Sequence, residues 1–482
     1  MSEVEKLPKK MIKLKWNDKD LEVPEGTNLL GAALNNGIKV AHYCYHPGLA
    51  VAGVCRMCMV EQQGVPRPFP ACNAVVAEGI QVRNDTKQIK DAVEWTLQFH
   101  LLNHPLDCPI CDQAGECGLQ DYYMKHGQYD SAMIDKKVHK KKVQDIGCDV
   151  VLDAERCILC ARCTRFVDDV TKTHELGIVN RGDHAEISVQ KELHNDYAQN
   201  LVDICPVGAL TSKDFRFKQR VWFLEDVEST CIGCETGCSV KISQNKSGAY
   251  RVRPIVDSEV NGFWMCDDGR KIYKHLSTPG RLVGPMVFKN SMFLPVAESE
   301  IKEKIKSKNI KFILSAGLSN EEYQSFFKEF KNIKNITLYQ LPKTGAEFDG
   351  ILKRADKNCN LRGAQKAFKL AGADSSEEAM KKMLDTLTSQ DALFVVMPEI
   401  VYDHDNYASF LSKIKKAGLR VALTTDDMRS EFSDFHFLLP VPTFLEKEGH
   451  IINYQNKERK LNKGRSYGAS DRNVGDWAHL FH

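Results

Sequence analysis

Fifteen of the chain's seventeen cysteines fall into four sets between Cys44 and Cys266, and each set has the spacing of a metal-cluster ligand group. The first reads C-x10-C-x2-C-x13-C: Cys44, Cys55, Cys58 and Cys72. The second reads H-x3-C-x2-C-x5-C: His104, Cys108, Cys111 and Cys117. The third, C-x2-C-x2-C-x41-C-P, is Cys157, Cys160, Cys163 and Cys205. The fourth, C-x2-C-x3-C-x27-C, is Cys231, Cys234, Cys238 and Cys266. Thiolate is a soft ligand, and a C-x2-C pair offers two thiolates from one turn, which suits iron–sulfur clusters or zinc. Four sets in series read as a row of iron–sulfur clusters. Cys148 belongs to no set, and Cys359 lies alone downstream as a plain thiol.

Each set needs an element to position it. Ahead of the first, residues 11–23 alternate: Ile12, Leu14 and Trp16, a turn at Asn17-Asp18-Lys19, then Leu21 and Val23. This predicts a β-hairpin. Thr27 is expected to cap a helix through Leu29, Leu30, Ala33 and Leu34, closed by Gly37. A hairpin, a helix and a cysteine loop open a plant-type ferredoxin, so a [2Fe–2S] centre is expected, with zinc or buried thiols as the alternative. A short strand over Met57–Glu61 precedes Cys72. The first gap is ten residues, longer than the four of the plant pattern.

Residues 86–102 read as a helix capped by Thr86, with Ile89, Val93, Leu97 and Leu101 recurring every four positions. It delivers His104. A lone histidine is more often a surface or core residue, but one placed four residues before a C-x2-C favours ligand duty. A neutral imidazole in place of a thiolate removes a negative charge and raises the potential. The lysines at 136, 137, 140, 141 and 142 read as a solvated linker, with a docking patch as the alternative.

A strand leads into Cys157, Cys160 and Cys163, and a helix should follow. Bacterial ferredoxins carry C-x2-C-x2-C-x3-C-P twice, the fourth cysteine of each run serving the other cluster. Here Val167 stands in place of the first run's own fourth cysteine, and Asn195, Ala198 and Leu201 stand where the second run's first three would be. One cluster of a two-cluster ferredoxin is therefore lost, and the survivor draws Cys205. Around the fourth set, Ser239–Ile242 and Tyr250–Arg253 are β-type; its spacing suits [4Fe–4S], with a zinc ribbon as the alternative.

Beyond about residue 285 strands and helices alternate: strand Lys311–Ser315, a helix from Ser319 through Phe330, strand Asn335–Gln340, helix 375–387, strand Leu393–Met397 closed by Pro398, helix Asn406–Ala417, strand Arg420–Thr424 and a last strand Phe435–Leu439. This predicts a parallel α/β sheet.

The length of 482 residues allows three or four domains, and 43% hydrophobic residues permit packed cores. Net charge is +2, so neither nucleic acid nor an acidic partner is demanded. The start, MSEVEKLPKKMIKLKW, has no apolar signal region, and no apolar run approaches the roughly 20 residues of a membrane helix. A reducing compartment is expected, with any membrane attachment supplied by partners. No two glycines are separated by a single residue, so no G-x-G-x-x-G exists, and no P-loop exists. NADH is not expected to bind this chain.

The segments HYCYHPGLAVAGVCRMCMV, HPLDCPICDQAGECGLQD, RCILCARCTRF, NRGDHAEI, NLVDICPVGAL and CIGCETGC resemble the large iron–sulfur subunit family of NADH–quinone oxidoreductase, respiratory complex I. The resemblance covers about residues 10–285. It implies a [2Fe–2S] cluster on the first set and [4Fe–4S] clusters on the other three, the fourth being confined to some bacterial members and lying off the main electron path. It implies a multidomain α/β plus α+β chain. A β-grasp [2Fe–2S] ferredoxin-like domain would occupy 10–85, and a helical [4Fe–4S] segment with one histidine and three cysteine ligands 86–130. A bacterial-ferredoxin-like [4Fe–4S] domain would follow at 146–222, and a molybdopterin-oxidoreductase-type [4Fe–4S] domain at 224–285. Residues 286–482 would be a degenerate, truncated molybdopterin-oxidoreductase-like α/β domain. SDFHFLLPV, FLEKEGHIIN and NLRGA are similar to motifs of that last domain. At about 200 residues it is too short for a full molybdenum domain, and no molybdopterin is expected.

The resemblance further implies electron relay from a flavin/NADH-binding partner subunit, through the clusters, to further iron–sulfur subunits and quinone. The complex would sit peripherally on the cytoplasmic face of a bacterial inner membrane. The alternatives are an electron-transfer subunit of an NAD-linked hydrogenase or formate dehydrogenase, or a zinc-stabilised scaffold.

Overall fold

The structure, a computed structural model, describes residues 10–128, 130–131, 133–277, 280–343, 345–396, 407–427, 430–467 and 471–481. The chain divides into two compact units, 1–222 and 223–482.

The first unit opens with β1 (Met11–Trp16) and β2 (Lys19–Pro24), paired antiparallel. Ile12, Leu14, Trp16, Leu21 and Val23 are buried, as the alternation predicts. α1 (Leu29–Asn35) is capped by Asn28, not Thr27: the Asn28 side chain accepts from the Gly31 N–H at 3.1 Å, and the Thr27 hydroxyl donates to the Pro24 carbonyl at 2.5 Å. Adjacent Thr and Asn are both good caps, and only the path of the incoming chain selects between them. β3 (Met59–Gln62), β4 (Phe69–Pro70) and β5 (Gln81–Arg83) complete a five-stranded sheet of order β2-β1-β5-β3-β4, with β1 parallel to β5. The buried face of α1 packs with the inward residues of this sheet.

α2 (Lys87–Leu101) begins where Thr86 accepts from the Ile89 N–H, and buries Ile89, Val93 and Leu97. α3 (Gly118–His126) packs against it. β6 (Gln144–Asp145) and β7 (Val150–Leu152) lead to α4 (Arg162–Arg165), which runs into a π-helical turn over Phe166–Val170. β8 (Leu176–Val179) and β9 (Glu186–Val189) form a hairpin. α5 (Asn200–Ile204) leads to β10 (Leu210–Ser212), which pairs antiparallel with β7. Ala198 and Leu201, at two positions of the lost cluster, are fully buried apolar residues, so packing occupies that ground.

The lysine-rich segment is not a free linker. Lys137 Nζ donates to the carbonyls of Leu101 and Leu102 at 3.1 and 2.7 Å, closing the end of α2. Lys140 donates to Ala185 O, and Lys142 pairs with Asp107 and Glu155 at 2.8 Å each. Orphan helix carbonyls and nearby carboxylates recruit the ammonium groups.

The second unit starts with an antiparallel sheet of β11 (Glu225–Thr230), β12 (Ser239–Asn245) and β13 (Gly248–Pro254), followed by α6 (Asp267–Arg270). Then come β14 (Met286–Lys289), β15 (Met292–Pro295), α7 (Glu298–Ile305), β16 (Asn309–Ser315), α8 (Asn320–Glu329), β17 (Ile336–Tyr339), α9 (Leu361–Leu370), α10 (Glu377–Asp385), β18 (Asp391–Val396), α11 (Tyr407–Ile414), β19 (Leu419–Thr424) and β20 (Phe437–Pro440). β21 (Gly449–Ile452) and β22 (Glu458–Leu461) form a final hairpin.

The large sheet has order β15-β14-β20-β19-β18-β16-β17. Its five strands β16 to β20 are parallel, as expected; β14 joins antiparallel and brings β15 with it. The sequence pattern does not predict that hairpin. Its turn, Asn290-Ser291, has φ of 53° and 61°, the left-handed pair that matches strand twist. The run ending at Leu439 is not the last strand, because β21 and β22 follow. Met397, Pro398 and Asn406 lie outside the described residues. α8 begins with the full capping box of Ser319 and Glu322.

Arg281 and Glu446 form a buried pair at 2.5 Å. Burial alone would raise the Glu446 carboxyl, but the Arg281 charge and the N–H groups of Tyr467 and Thr443 outweigh it and hold the carboxyl below its ordinary 4.5. A carboxyl depressed on folding contributes stability above its unfolded pKa, and loses it as pH falls toward the folded value. Stability of residues 223–482 is therefore expected to decline below about pH 4.5, and Glu446→Gln to flatten that limb in unfolding curves measured against pH.

Candidate metal centres

None of the seventeen cysteines is in a disulfide. The structure brings the members of each predicted set together. In the first, the sulfurs of Cys55 and Cys72 lie within hydrogen-bonding reach of Cys44, and Cys58 within reach of Cys72. All four are buried. Cys44 sits on the loop after α1, Cys55 and Cys58 just before β3, and Cys72 in the turn after β4. The donated S–H bonds pull the Cys44 thiol down and push Cys55 and Cys72 up. The Tyr43 N–H donates to Cys55 Sγ at 3.4 Å. Gly53, which precedes this turn, takes φ of +66° with open space at its Cβ position, so backbone conformation rather than crowding favours glycine there.

The second set lies between α2 and α3. His104, Cys108, Cys111 and Cys117 share the lining of a cavity of about 470 Å³. Burial, then the charges of Lys137 and Arg156, push the His104 imidazole down to about 4, so the ring is neutral at pH 7. Among the described residues its buried Nδ1 has no hydrogen-bond partner. A neutral imidazole with an orphaned buried nitrogen is the state a metal-ligating histidine needs. Cys111 is buried and Cys108 exposed. The loop is clamped from several sides. Arg156 Nη2 and Nε donate to Asp107 Oδ2 at 2.9 and 3.1 Å, and Arg220 Nη1 donates to the Cys111 carbonyl at 2.6 Å. The Gly118 N–H donates to Pro206 O at 2.9 Å, tying this loop to the third set.

A β-carbon at Gly208 would overlap the Cys111 sulfur and lie 3.1 Å from Gln113 Cβ. Sequence reasoning missed this residue, although the CPVG tetrapeptide placed a glycine three positions after a ligand candidate. Gly208→Ala is expected to displace Cys111 and lower stability by about 1–3 kcal/mol, the usual overpacking range, as a drop in melting temperature.

Cys157, Cys160, Cys163 and Cys205 line one small pocket with Leu152, Ile158, Ile187, Val207 and Leu210. Burial pushes Cys157 and Cys205 up to about 12 as thiols, and their neighbouring sulfurs add to it. Four thiols this far from water ionise only against a cationic partner. The Leu159 N–H donates to Cys157 Sγ at 3.4 Å. Leu159 and Ala161 take φ of 54° and 58°, which turns the chain tightly between the three cysteines. One apolar core holds Cys44, Cys55, Cys111 and Cys160 with Leu97, Leu119 and Val207.

In the second unit, Cys231, Cys234, Cys238 and Cys266 line a pocket with Gly233, Gly269, Leu352 and Lys357. Burial pushes Cys266 up to about 11 and Cys231 well above its ordinary range. N–H groups of Gly233 and Gly269 donate to Cys231 and Cys266 sulfurs, each at 3.4 Å. Cys148 stands outside every set, its thiol near Leu193 O at 3.2 Å, and Cys359 is buried in the core of the second unit.

Among the described residues no three His, Cys, Asp or Glu side chains close on a point tightly enough for a single metal ion. The donors nevertheless fit iron–sulfur groups: soft, mostly buried or half-buried with Cys108 exposed, gathered in fours, with backbone N–H groups aimed at sulfur. Among the described residues no helix is long and apolar enough to cross a membrane.

Four family models match in series: a 2Fe-2S iron-sulfur cluster binding domain at 9–87, the NADH-ubiquinone oxidoreductase-G iron-sulfur binding region at 95–132, the ferredoxin-like domain of NADH-quinone oxidoreductase subunit 3 at 147–211 and the molybdopterin oxidoreductase Fe4S4 domain at 224–278. The G-type subunit of NADH-quinone oxidoreductase from Rickettsia conorii is 37% identical over 328 residues, 66% of this chain and 48% of that protein. The NADH-ubiquinone oxidoreductase 75 kDa subunit of Reclinomonas americana is 39% identical over 280 residues, 57% of this chain and 40% of that protein. A crystal structure of NAD+-reducing [NiFe]-hydrogenase in the H2-reduced state covers 44% of this chain and 91% of its own, at 25% identity and a TM-score of 0.40, too low to bear on function. The chain spans about half the length, or less, of the curated relatives it matches. It carries one [2Fe–2S] domain and [4Fe–4S]-binding domains, and is a homologue of the G-type iron–sulfur subunit of NADH-quinone oxidoreductases, complex I.

Proposed function

We propose that this chain is the large iron–sulfur subunit of an NADH–quinone oxidoreductase and relays single electrons from a flavin/NADH-binding partner toward quinone. What supports the reading most is the gathering of four sulfur-rich ligand sets, each within a segment that matches an iron–sulfur domain. The first set would hold a [2Fe–2S] cluster, and the other three a [4Fe–4S] cluster each. Residues 10–85, 86–130, 146–222 and 224–285 would be the four cluster domains, and 286–482 a remnant α/β domain without molybdopterin. Peripheral attachment at the cytoplasmic face of the membrane would come through partner subunits, and electrons would leave to a further iron–sulfur subunit.

Bound clusters of this kind take up and release one electron at a time. The chain's own residues place and insulate them. Burial of most of the thiols limits the access of water to their sulfurs, Cys108 being the exposed one. The N–H groups of Tyr43, Leu159, Gly233 and Gly269 stabilise negative charge on sulfur and so raise the potential. His104 supplies a neutral donor where the other sets have a fourth thiolate, lowering the net negative charge of the second centre. No side chain has to move a proton.

The test is anaerobic purification of the full chain, with iron and sulfide counts and electron paramagnetic resonance. Iron and sulfide for one [2Fe–2S] and three [4Fe–4S] clusters, with separable signals on reduction, is the expected result. A colourless, zinc-loaded protein would overturn it. Stoichiometric molybdenum with pterin would point instead to a formate-dehydrogenase-like enzyme.

A further inference from the structure

Between the first and third cysteine sets lies a seam made by two arginines. Arg162, on α4, donates from Nη2 to the Tyr45 carbonyl at 2.6 Å and from Nη1 to the Ile204 carbonyl at 2.9 Å. Tyr45 follows Cys44 directly, and Ile204 precedes Cys205. One guanidinium therefore spans a ligand loop of each set. Arg165, one turn on, donates from Nη2 to the carbonyls of Cys44 at 2.6 Å and Cys160 at 3.3 Å, one ligand residue from each set. Its Nη1 reaches Ala50 O, and the Ala50 N–H donates to Asp169 Oδ2 at 3.2 Å.

Both arginines spend their donors on carbonyl oxygens. Among the described residues no carboxylate forms an ion pair with either. Among the described residues the buried Nε of Arg162 has no hydrogen-bond partner. Arg162 lines the third set's pocket beside Cys157, Cys160, Cys163 and Cys205. A half-buried cation without a carboxylate is costly unless something anionic is near, and on the cluster reading the sulfur sets beside it would supply that charge. A lysine could supply the charge, but not the flat fork that reaches two carbonyls in different directions.

We propose that Arg162, seconded by Arg165, is a positioning residue for electron transfer between the first and third centres. It fixes their spacing through the two carbonyl bridges, and its uncompensated charge raises the reduction potential of both centres together. This rests on the reading of those sets as cluster ligands. A fixed cation favours the reduced, more negative state of each neighbour, and the partly buried seam limits its screening by water.

The test is redox titration of the full chain in its complex, followed by electron paramagnetic resonance, for wild type, Arg162→Gln, Arg162→Lys and Arg165→Gln. In Arg162→Gln both the [2Fe–2S] signal and the third set's [4Fe–4S] signal are expected at lower potential. At least a tenfold fall in the reduced-to-oxidised ratio at fixed potential is expected, about 59 mV for a one-electron couple. Arg162→Lys is expected to restore the potentials while melting at lower temperature than wild type. Unshifted potentials in a Gln variant with full iron and sulfide would overturn the inference, as would a shift in only one centre. Should Arg162→Gln lose iron, Arg165→Gln decides: both potentials fall, or the proposal fails. Absence of the two signals from wild type would instead defeat the cluster reading itself.

Discussion

Cys111→Ala is expected to abolish NADH-driven quinone reduction while leaving NADH oxidation by artificial acceptors intact. Cys111 is buried at the centre of the second set, held by Arg220 on its carbonyl and by the close approach of Gly208 to its sulfur. No spare thiol can replace it: Cys108 and Cys117 already belong to the set, and Cys148 is placed with Leu193 and Asn195. Removing even a group that only orients a ligand costs about 10–100-fold in metal affinity or activity, so deleting a ligand should exceed that. Iron and sulfide should fall by one cubane's worth, and one paramagnetic signal should vanish. Quinone reduction that survives with the signal lost would remove the second centre from the electron path. Cys234→Ala makes the contrast: it should mainly impair assembly, and normal assembly with lost transfer would contradict that.

Lys447→Met should produce the largest stability loss in the second unit. Lys447 Nζ lies 2.8 Å from Glu322 Oε2, and each side chain is only 5% exposed. The same carboxylate oxygen accepts from the Ser319 N–H at 2.8 Å, completing the capping box of α8. Truncating the lysine leaves a carboxylate buried without its cation, which costs about 3–5 kcal/mol. Glu322→Gln on top of Lys447→Met should recover much of it, because the amide still serves the cap without a charge. Urea unfolding, with hydrogen exchange of the α8 amides, checks both. Additive losses in the double variant would show that the two side chains act independently.

Much of the candidate chemistry was legible in the residues. Cysteine spacing is local information: a C-x2-C turn presents two sulfurs whatever surrounds it, and each candidate set is built on one such pair. Even the 41-residue jump to Cys205 could be read, because the Cys-Pro remained when its companions became Asn195, Ala198 and Leu201. Thr86, Ser319 and the alternation of Ile12, Leu14 and Trp16 were equally plain, since caps and strand faces are set by neighbours a few residues away.

What the sequence by itself determined, then, was which side chains are candidates for each sulfur set and which segments are helix or strand around them. Only the tertiary structure decided how the sets are joined and enclosed. Arg162 meets Tyr45 from 117 residues away, and Arg220 meets Cys111 from 109. Gly208 stands against Cys111, and β14 enters a parallel sheet from the opposite direction. An arginine among many carries no mark of the carbonyl it will reach. That choice is made when distant segments pack and each buried donor has to find an acceptor.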